Sequence, residues 1–330
     1  MDADATSLQV SAPNWRPSTK GARPSDQEDV NAFLDFIQCR GLTRKTQETY
    51  RSAAETFASF TAAQEMPLLP DVTREHLESF FAALRRHGSK PASIKNRHSG
   101  LRALFNWMIE EDIRHTHPLE RIKMPRVPEQ VLPHYSAEDI VRVLGATPNK
   151  LGDLQGLRDR CIVLFFYDTG VRCAELCGLR VGDLDREARQ ATILSGKAGK
   201  QRVVAYSADV ANAFNRYMRR RGGWEGVGKA APLFAARDGA FLTVNGVRML
   251  MQRRFGAAGV EFKGTHGFRR AAGIAFLEHG GDPTDLKELM GWSSWSMLAR
   301  YTRATARSRA LRAHDAHSPV ARLMEKERRK

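Results

Sequence analysis

The sequence has too few cysteines to be held together by disulfides. Only four occur in its 330 residues, Cys39, Cys161, Cys173 and Cys177, and they do not make a disulfide framework for a chain of this size. Cys173 and Cys177 stand one helical turn apart, but no second pair follows nearby to complete a metal site. We therefore expect these thiols to be buried as small apolar side chains, with no bound metal.

Long apolar runs are missing as well. No stretch is long enough to span a bilayer. Residues 1 to 25 are polar and rich in Ala, Ser and Pro, without the basic start and apolar run of a secretion signal. These absences favour a cytoplasmic protein that has no membrane partner and begins with a flexible leader.

Acidic residues are outnumbered by basic ones. The chain has 52 Lys and Arg against 37 Asp and Glu, a net charge of +15, within an otherwise ordinary composition of 42% hydrophobic and 27% charged residues. Such a surplus attracts polyanions, either nucleic acid or an acidic membrane surface. Nucleic acid is favoured because the basic residues do not gather on one lipid-facing helix. A basic surface without a ligand is the alternative.

Proline marks a boundary in the middle of the chain. Pro118, Pro125, Pro128 and Pro133 fall within residues 116 to 134. Prolines at this density prevent a continuous helix and favour an extended connector. Because 330 residues suffice for two domains, we place the domain boundary in this linker.

Four helices are predicted before the linker, in residues 25 to 115. A capping box of Ser25 and Glu28 is expected to open the first helix, and Gly41 to end it. Apolar residues at helical spacing follow three further start signals, which are Thr43, Thr73 and Pro91.

The fourth of these helices has a basic face. Its candidate contacts to DNA phosphates are Lys90, Lys95, Arg97 and Arg102. A solvated surface explains these charges about as well, so the four residues alone do not indicate DNA binding.

The pattern after the linker is mixed. Ser136 and Asp139 cap a helix, and a strongly apolar helix spans residues 157 to 167 and ends at Gly170. Two β-prone runs, 191 to 194 and 202 to 206, flank a basic turn and predict a hairpin. Helices resume near Thr243, which makes the fold class mainly α with a small antiparallel β-sheet.

The segment after Gly170 is the first with a chemical signature. Arg172 is expected in the first turn of a new helix, where free backbone N–H groups favour an anion. Its guanidinium could bind phosphate through two parallel hydrogen bonds, and Glu175, one turn along, could orient it. An ordinary surface Arg–Glu helix pair is the alternative.

Five segments together resemble the tyrosine recombinase, or phage integrase, family. The segment TGVRCAELCGL around Arg172 resembles the family's first arginine box, and Lys197 in SGKAGKQRVV resembles its hairpin lysine. His266 and Arg269 match its His-x-x-Arg box. Trp292 in GWSS and Tyr301 in ARYT match its last box and its nucleophile, and the separations between these boxes also fit the family pattern.

The resemblance implies both a mechanism and a set of catalytic residues. Tyr301 would attack a DNA phosphate to form a 3′-phosphotyrosyl link, with His266 as a possible base and Lys197 as the acid for the departing 5′ oxygen. Positive side chains would stabilise the phosphate where other enzymes use a metal pair, so neither a metal nor another cofactor is expected. The candidate catalytic residues are Arg172, Lys197, His266, Arg269, Trp292 and Tyr301.

Each candidate has a structural alternative when it is taken alone. Tyr301 could be a packed core tyrosine, Trp292 buried filler and His266 a helix-cap residue. Lys197 and Lys200 are equal by charge, and only the resemblance prefers Lys197; Lys200 is then a candidate DNA contact.

The chain also departs from the family pattern at three positions. Trp292 stands where many members have His, a substitution that some active members share, and Phe268 replaces the usual leucine. Arg270 follows Arg269 where members often have His. Arg270 could contact DNA or compete with Arg269 for the phosphate, although the His-x-x-Arg spacing favours Arg269.

The resemblance further implies a domain order and partners. We expect a leader (1–24), a helical core-binding domain (25–115), the Pro-rich linker (116–134), a mixed α/β catalytic domain (135–316) and a basic tail (317–330). The two domains would clamp double-stranded DNA, and four protomers would act on two DNA sites as a homotetramer or together with a paralogous recombinase. Type IB topoisomerase-like DNA relaxation and DNA binding without turnover are the alternative functions.

Overall fold

The computed structural model describes residues 15–122, 133–194 and 201–328. Within these ranges the chain is mostly helical and has one three-stranded antiparallel sheet. The predicted fold class, mainly α with a small antiparallel sheet, is confirmed. The chain divides into two compact units, Met1–Glu129 and Gln130–Lys330.

The described part of the N-terminal unit is built from four α-helices and a short 3-10 helix, Leu69–Asp71, around one apolar core. At its centre Phe57 lies edge-on to Phe80 and Phe105, with ring centroids 5.0 and 6.2 Å away. Aromatic rings bury large apolar areas, so this cluster accounts for much of the unit's stability. The helices are α1 (Pro24–Cys39), α2 (Arg44–Ala63), α3 (Arg74–Arg86) and α4 (Pro91–Glu110).

Helix starts in this unit follow local signals except at α1. Thr43 and Thr73 are the N-cap residues of α2 and α3, and Pro91 opens α4, as predicted. The Ser25 capping box is wrong, because α1 begins at Pro24 with Arg23 as its N-cap. The Arg23 guanidinium donates to the carbonyls of Met66 and Pro67 at 2.6 and 2.7 Å, which anchors the helix start to a distant loop.

The predicted leader and the predicted linker each include a residue that packs into the N-terminal core. Trp15, assigned to the flexible leader, is buried with its ring centroid 4.9 Å from that of Phe60, so the leader prediction is wrong for this residue. Leu119, assigned to the linker, is buried in the same core. Residues 1–14 and 123–132 lie outside the described ranges, and the predicted domain boundaries stay predictions.

The C-terminal unit surrounds the helix that runs from Leu154 to Thr169. Its side chains Cys161, Phe165 and Phe166 are fully buried, and Gly170 ends the helix with a φ of +61°. That left-handed conformation suits glycine, as the sequence predicted. The helices before the sheet are α5 (Ala137–Ala146), α6 (Leu154–Thr169) and α7 (Cys173–Gly178).

The sheet has strand order β1 (Leu184–Asp185), β2 (Gln190–Leu194) and β3 (Gln201–Ala205). β2 and β3 pair antiparallel from Gln190↔Ala205 to Leu194↔Gln201, which confirms the predicted hairpin. The turn with Lys197 and Lys200 lies outside the described residues.

A second, smaller core follows the sheet. Leu277, Leu286 and Leu298 pack there together with Met290. The helices after the sheet are α8 (Ala208–Arg221), α9 (Gly223–Val227), α10 (Val244–Ala257), α11 (His266–Glu278), α12 (Pro283–Met290), α13 (Trp295–Ala304), α14 (Ala306–His317) and α15 (Pro319–Arg328). α15 shows that the segment predicted as a basic tail is largely helical.

The cysteines only partly follow the prediction of burial. Cys161 is buried, Cys173 and Cys177 are half-buried, and Cys39 is exposed, so the prediction is wrong for Cys39. Cys39 lies two residues beyond buried Ile37, on the opposite side of α1 from the core, which explains its exposure. Within the described ranges, no group of three or more His, Cys, Asp or Glu side chains is arranged to hold a metal. Nor does any described helix combine the length and apolarity needed to cross a bilayer.

Candidate active site

Arg269 is the most constrained of the predicted site residues. It lies in the first turn of α11 with only 2% of its surface exposed, and its guanidinium donates to the carbonyl of Gly170 at 2.7 Å and to that of Met290. These carbonyls terminate α6 and α12, where helix dipoles place negative partial charge. Two helix ends therefore fix where this cation points.

The charge of Arg269 survives its burial. Desolvation, followed by the neighbouring charges of Arg172 and Arg202, lowers the pKa of its guanidinium to about 10. A group with that pKa stays protonated at neutral pH. Arg269 therefore presents a fixed positive charge in a buried site, where its interaction with a negatively charged ligand is stronger than in water.

Arg172 remains available to a ligand. It is the residue just before α7, its N-cap, and not a first-turn residue as predicted. Its backbone N–H donates to one Glu175 carboxylate oxygen at 2.7 Å and its guanidinium to the other at 2.8 Å. The predicted Arg–Glu pair is present, yet 43% of the Arg172 side chain is exposed, so part of its donor fork faces solvent.

Glu175 is held by a second arginine that the sequence analysis missed. Arg202, on β3, donates from both terminal nitrogens to the two Glu175 oxygens at 2.9 and 2.7 Å. Burial alone would raise the pKa of Glu175, but hydrogen bonds from Arg202 and Arg172 lower it to about 2. The overlooked signal is strand alternation, which puts Arg202 on the same inward face as Val204.

Tyr301 and Trp292 lie together beside α11. Their ring centroids are 4.6 Å apart, both side chains are buried, and Arg269 sits 5.5 Å from the Trp292 ring. A Cβ added at Gly273 would come within 2.9 Å of the Tyr301 ring, so this glycine permits the close approach. The Trp292 indole N–H is buried and has no hydrogen-bond partner among the described residues, which leaves it free to donate to a ligand oxygen.

The Tyr301 hydroxyl experiences opposing effects. Burial raises the pKa of Tyr301, whereas the positive charges of Arg269, Arg270, Arg300 and Arg172 act to lower it, in that order. The phenol of the free protein is therefore neutral at pH 7. Nearby cations would stabilise the phenolate as it forms, which is what a tyrosine nucleophile requires.

His266 begins α11, beside Arg269 and Arg270. Desolvation lowers the pKa of its imidazole, and the positive charges of Arg270, Arg269 and Arg172 lower it further. A lowered pKa leaves the ring neutral at pH 7. A neutral imidazole can accept a proton or donate one hydrogen bond.

This shift predicts a measurable histidine titration. In the free protein, NMR should find the pKa of His266 below its ordinary value of about 6.5. Arg270→Gln should raise it, because Arg270 is the first of the three charges that disfavour the imidazolium. Arg237→Gln is the control, since Arg237 contacts Gln155 elsewhere. A pKa above 6.5, or one unchanged by Arg270→Gln, would contradict this account.

Arg270 is directed to the start of the C-terminal unit. Its guanidinium donates to the carbonyl of Pro133 at 3.1 Å. That contact occupies part of its fork, whereas Arg269 is aligned by two helix ends. The geometry favours Arg269 as the arginine of the His-x-x-Arg pair.

The remaining candidates lie elsewhere. Lys197 and Lys200 fall outside the described residues. The candidate DNA contacts of the N-terminal unit are on or just before α4: Lys90, Lys95 and Arg102 are exposed, and Arg97 is half-buried. Burial lowers the pKa of Arg97, whose Nε has no partner in the described part of the chain.

Five of the six predicted catalytic residues are thus brought together in the C-terminal unit. Arg172, Arg269 and His266 supply donors, and Trp292 supplies an indole N–H beside the phenol of Tyr301. In-line attack on a phosphodiester requires a nucleophile together with positive donors that can contact the non-bridging phosphate oxygens, and this cluster contains both.

Two protein-family models and several curated proteins match this sequence. The model of the phage integrase family matches residues 134–308, and that of the phage integrase N-terminal SAM-like domain matches residues 30–115. The chain is 32% identical over 299 residues to a tyrosine recombinase XerC of Mycobacterium bovis, covering 87% of this chain and 99% of that protein. It is 30% identical over 310 residues to the XerC of Syntrophus aciditrophicus, covering 89% and 97%.

Solved structures share the fold at lower identity. The Tn1549 transposon integrase in complex with a circular intermediate DNA superimposes with a TM-score of 0.68 at 18% identity, covering 86% of this chain and 99% of that one. A lambda integrase tetramer bound to a Holliday junction gives 0.65 at 17% identity, covering 83% and 76%.

Proposed function

Since this chain belongs to the phage integrase family and is a tyrosine-type site-specific DNA recombinase, we propose that it cuts and rejoins DNA with Tyr301 as its nucleophile. One observation carries the assignment of residues. The phenol of Tyr301 is buried against Trp292 and lies within the electrostatic influence of Arg269 and Arg172. A buried tyrosine with only a packing role would gain nothing from such a cluster of positive charge.

The proposed reaction conserves the phosphodiester bond energy. Tyr301 loses its proton, with His266 as the candidate acceptor, and its oxygen attacks the scissile phosphorus. The bond to the 5′ oxygen breaks, and that oxygen takes a proton from Lys197. A 3′-phosphotyrosyl link and a free 5′ hydroxyl result. The same hydroxyl, or one from a partner duplex, then attacks the link and releases Tyr301.

In this mechanism the chain's own cations stabilise the transition state. Arg269 and Arg172 neutralise the charge that builds on the non-bridging oxygens, and Trp292 adds an indole N–H. The reaction would therefore proceed in the presence of a chelator and without ATP.

The proposed partner is double-stranded DNA, bound as four protomers on two sites. The net charge of +15 supports DNA as the ligand. The lambda integrase structure named above is a tetramer on a Holliday junction, which supports extending that assembly to this chain. The two domains would clamp the duplex, with a paralogous recombinase as an alternative partner. Acting on DNA, the protein would work in the cytoplasm.

A covalent-capture experiment tests the proposed function. The protein is incubated, in chelator, with nicked duplexes drawn from its own genomic neighbourhood, so that the short 5′-hydroxyl strand diffuses away after cleavage. We expect a protein–DNA band that survives denaturation. Binding without this band on every candidate site would support a DNA-binding protein without turnover. Relaxation of supercoiled DNA without joining of two sites would support the topoisomerase-like alternative.

The assignment of the general acid predicts a specific rescue by sulfur. Lys197→Ala should slow cleavage by about 10²- to 10³-fold, because the 5′ oxygen leaves poorly without a proton. On DNA with sulfur in place of that oxygen, the variant should cleave nearly as fast as the wild type, since a thiolate needs no proton to leave. Lys200→Ala is the matched control and should change neither rate much. Rescue of Lys200→Ala instead would reassign the acid to Lys200.

A further inference from the structure

Arg202 contacts the supports of both arginines assigned to the phosphate. Besides binding Glu175 through both terminal nitrogens, it donates from Nε to the carbonyl of Leu289 at 3.2 Å. Glu175 also binds Arg172, and Leu289 precedes Met290, whose carbonyl binds Arg269. One side chain thus joins strand β3 to α7 and to the end of α12.

The position of Arg202 is tightly packed. Only 12% of its side chain is exposed. A Cβ added at Gly291 would lie 2.9 Å from the Arg202 Cδ, and Gly291 has a φ of +62°, so glycine is needed there for both space and backbone. The Arg202 guanidinium therefore has little freedom to leave Glu175.

The sharing of Glu175 determines how much of Arg172 remains free. Because Arg202 bonds to both carboxylate oxygens, Arg172 is left with one guanidinium contact and keeps the rest of its fork in solvent. A buried carboxylate with only one cation would draw that cation into a two-bond pair. Arg172 would then have fewer donors for a phosphate oxygen.

We propose that Arg202 is a positioning residue for DNA cleavage: by saturating Glu175, it keeps the Arg172 guanidinium available for the scissile phosphate. The inference rests on the proposed function and names no contact between Arg202 and DNA. An ion pair that only stabilised the fold would have no such effect on Arg172.

The first test compares two scissile phosphates. Arg202→Gln should slow covalent cleavage of ordinary DNA by about 100-fold, since a transition-state donor is misplaced. On DNA with a methylphosphonate at the scissile position, the non-bridging charge is gone and Arg172 has less to neutralise. On this substrate the wild type should therefore cleave less than about tenfold faster than Arg202→Gln. Equal slowing on both substrates would overturn the proposal.

Arg254 offers a matched structural control. It is 15% exposed and donates through two nitrogens to one oxygen of buried Asp159, whose other oxygen accepts from Arg158. Asp159, like Glu175, is therefore a buried carboxylate shared by two arginines, and neither arginine is a predicted site residue. Arg254→Gln should lower the melting temperature without changing the ratio of rates on the two substrates. The same change of ratio in Arg254→Gln would overturn the proposal.

A double variant separates release of Arg172 from simple loss of an ion pair. Arg202→Gln with Glu175→Gln removes the carboxylate that would capture Arg172, so it should cleave ordinary DNA faster than Arg202→Gln alone. A double variant that cleaves no faster contradicts the mechanism. If Arg202→Gln fails to fold, Arg202→Lys replaces it, because lysine keeps the charge but cannot bind both Glu175 oxygens in a fork.

Failure of this inference is distinguishable from failure of the proposed function. Absence of any covalent band with the wild-type protein would remove the proposed function. A wild-type band together with an Arg202→Gln variant that cleaves at the wild-type rate would remove only the role of Arg202.

Discussion

Replacement of Tyr301 by phenylalanine should abolish covalent attachment to DNA, with a loss of at least about 10⁴-fold in the rate of cleavage. In the proposed reaction the hydroxyl oxygen is the atom that bonds to phosphorus, and phenylalanine has no substitute for it. The assay is the denaturation-resistant protein–DNA band on a nicked duplex, with DNA binding measured separately by gel shift.

The loss in Tyr301→Phe should not come from unfolding. The Tyr301 ring packs on Trp292 and Gly273, and phenylalanine keeps those contacts, so the melting temperature should hardly change. Tyr206→Phe is the matched control, because its hydroxyl donates to the carbonyl of Asp185. It should retain the covalent band. A band of normal intensity from Tyr301→Phe would show that another residue is the nucleophile.

Arg269→Lys should have the second-largest effect, a loss of about 10²- to 10³-fold in cleavage. Lysine keeps a positive charge but lacks the planar fork that spans the carbonyls of Gly170 and Met290. One carbonyl would lose its buried partner, so the variant should also lose about 1–3 kcal/mol of stability. Single-turnover cleavage and chemical denaturation measure the two effects.

Arg270→Lys is the control that the sequence itself supplies. Arg270 neighbours Arg269 and donates to Pro133, so its replacement should leave the cleavage rate within about tenfold of the wild type. The reverse order of effects, with Arg270→Lys the more damaging, would assign Arg270 as the catalytic arginine of the His-x-x-Arg pair.

Local signals in the sequence predicted local structure well. Thr43 and Thr73 precede α2 and α3, and Gly170 ends α6, because a cap or a left-handed turn depends on only a few neighbouring residues. The start of α1 was misplaced because Arg23 is anchored 43 and 44 residues away, at Met66 and Pro67. Trp15 was assigned to a leader for the same reason, since its partner Phe60 lies on α2.

In the candidate site, too, the sequence identified local motifs but not the contacts between distant residues. Motifs selected Arg172, Arg269 and Tyr301, but they carry no information about what each side chain contacts. Arg202 was missed because its partner Glu175 is 27 residues away, on another element. Likewise, only the fold shows that Gly273 leaves space for the Tyr301 ring.

The acceptors that orient Arg269 belong to the main chain, and this sets which sequence changes the protein can tolerate there. A carbonyl oxygen is supplied by whatever amino acid occupies position 290, so exchanging Met290 for another apolar residue of similar volume preserves the acceptor. Inserting or deleting one residue in α12 would rotate its last carbonyl by about 100° and remove the acceptor altogether. A change of residue type at position 290 should therefore preserve this contact, whereas a change in the length of α12 should not.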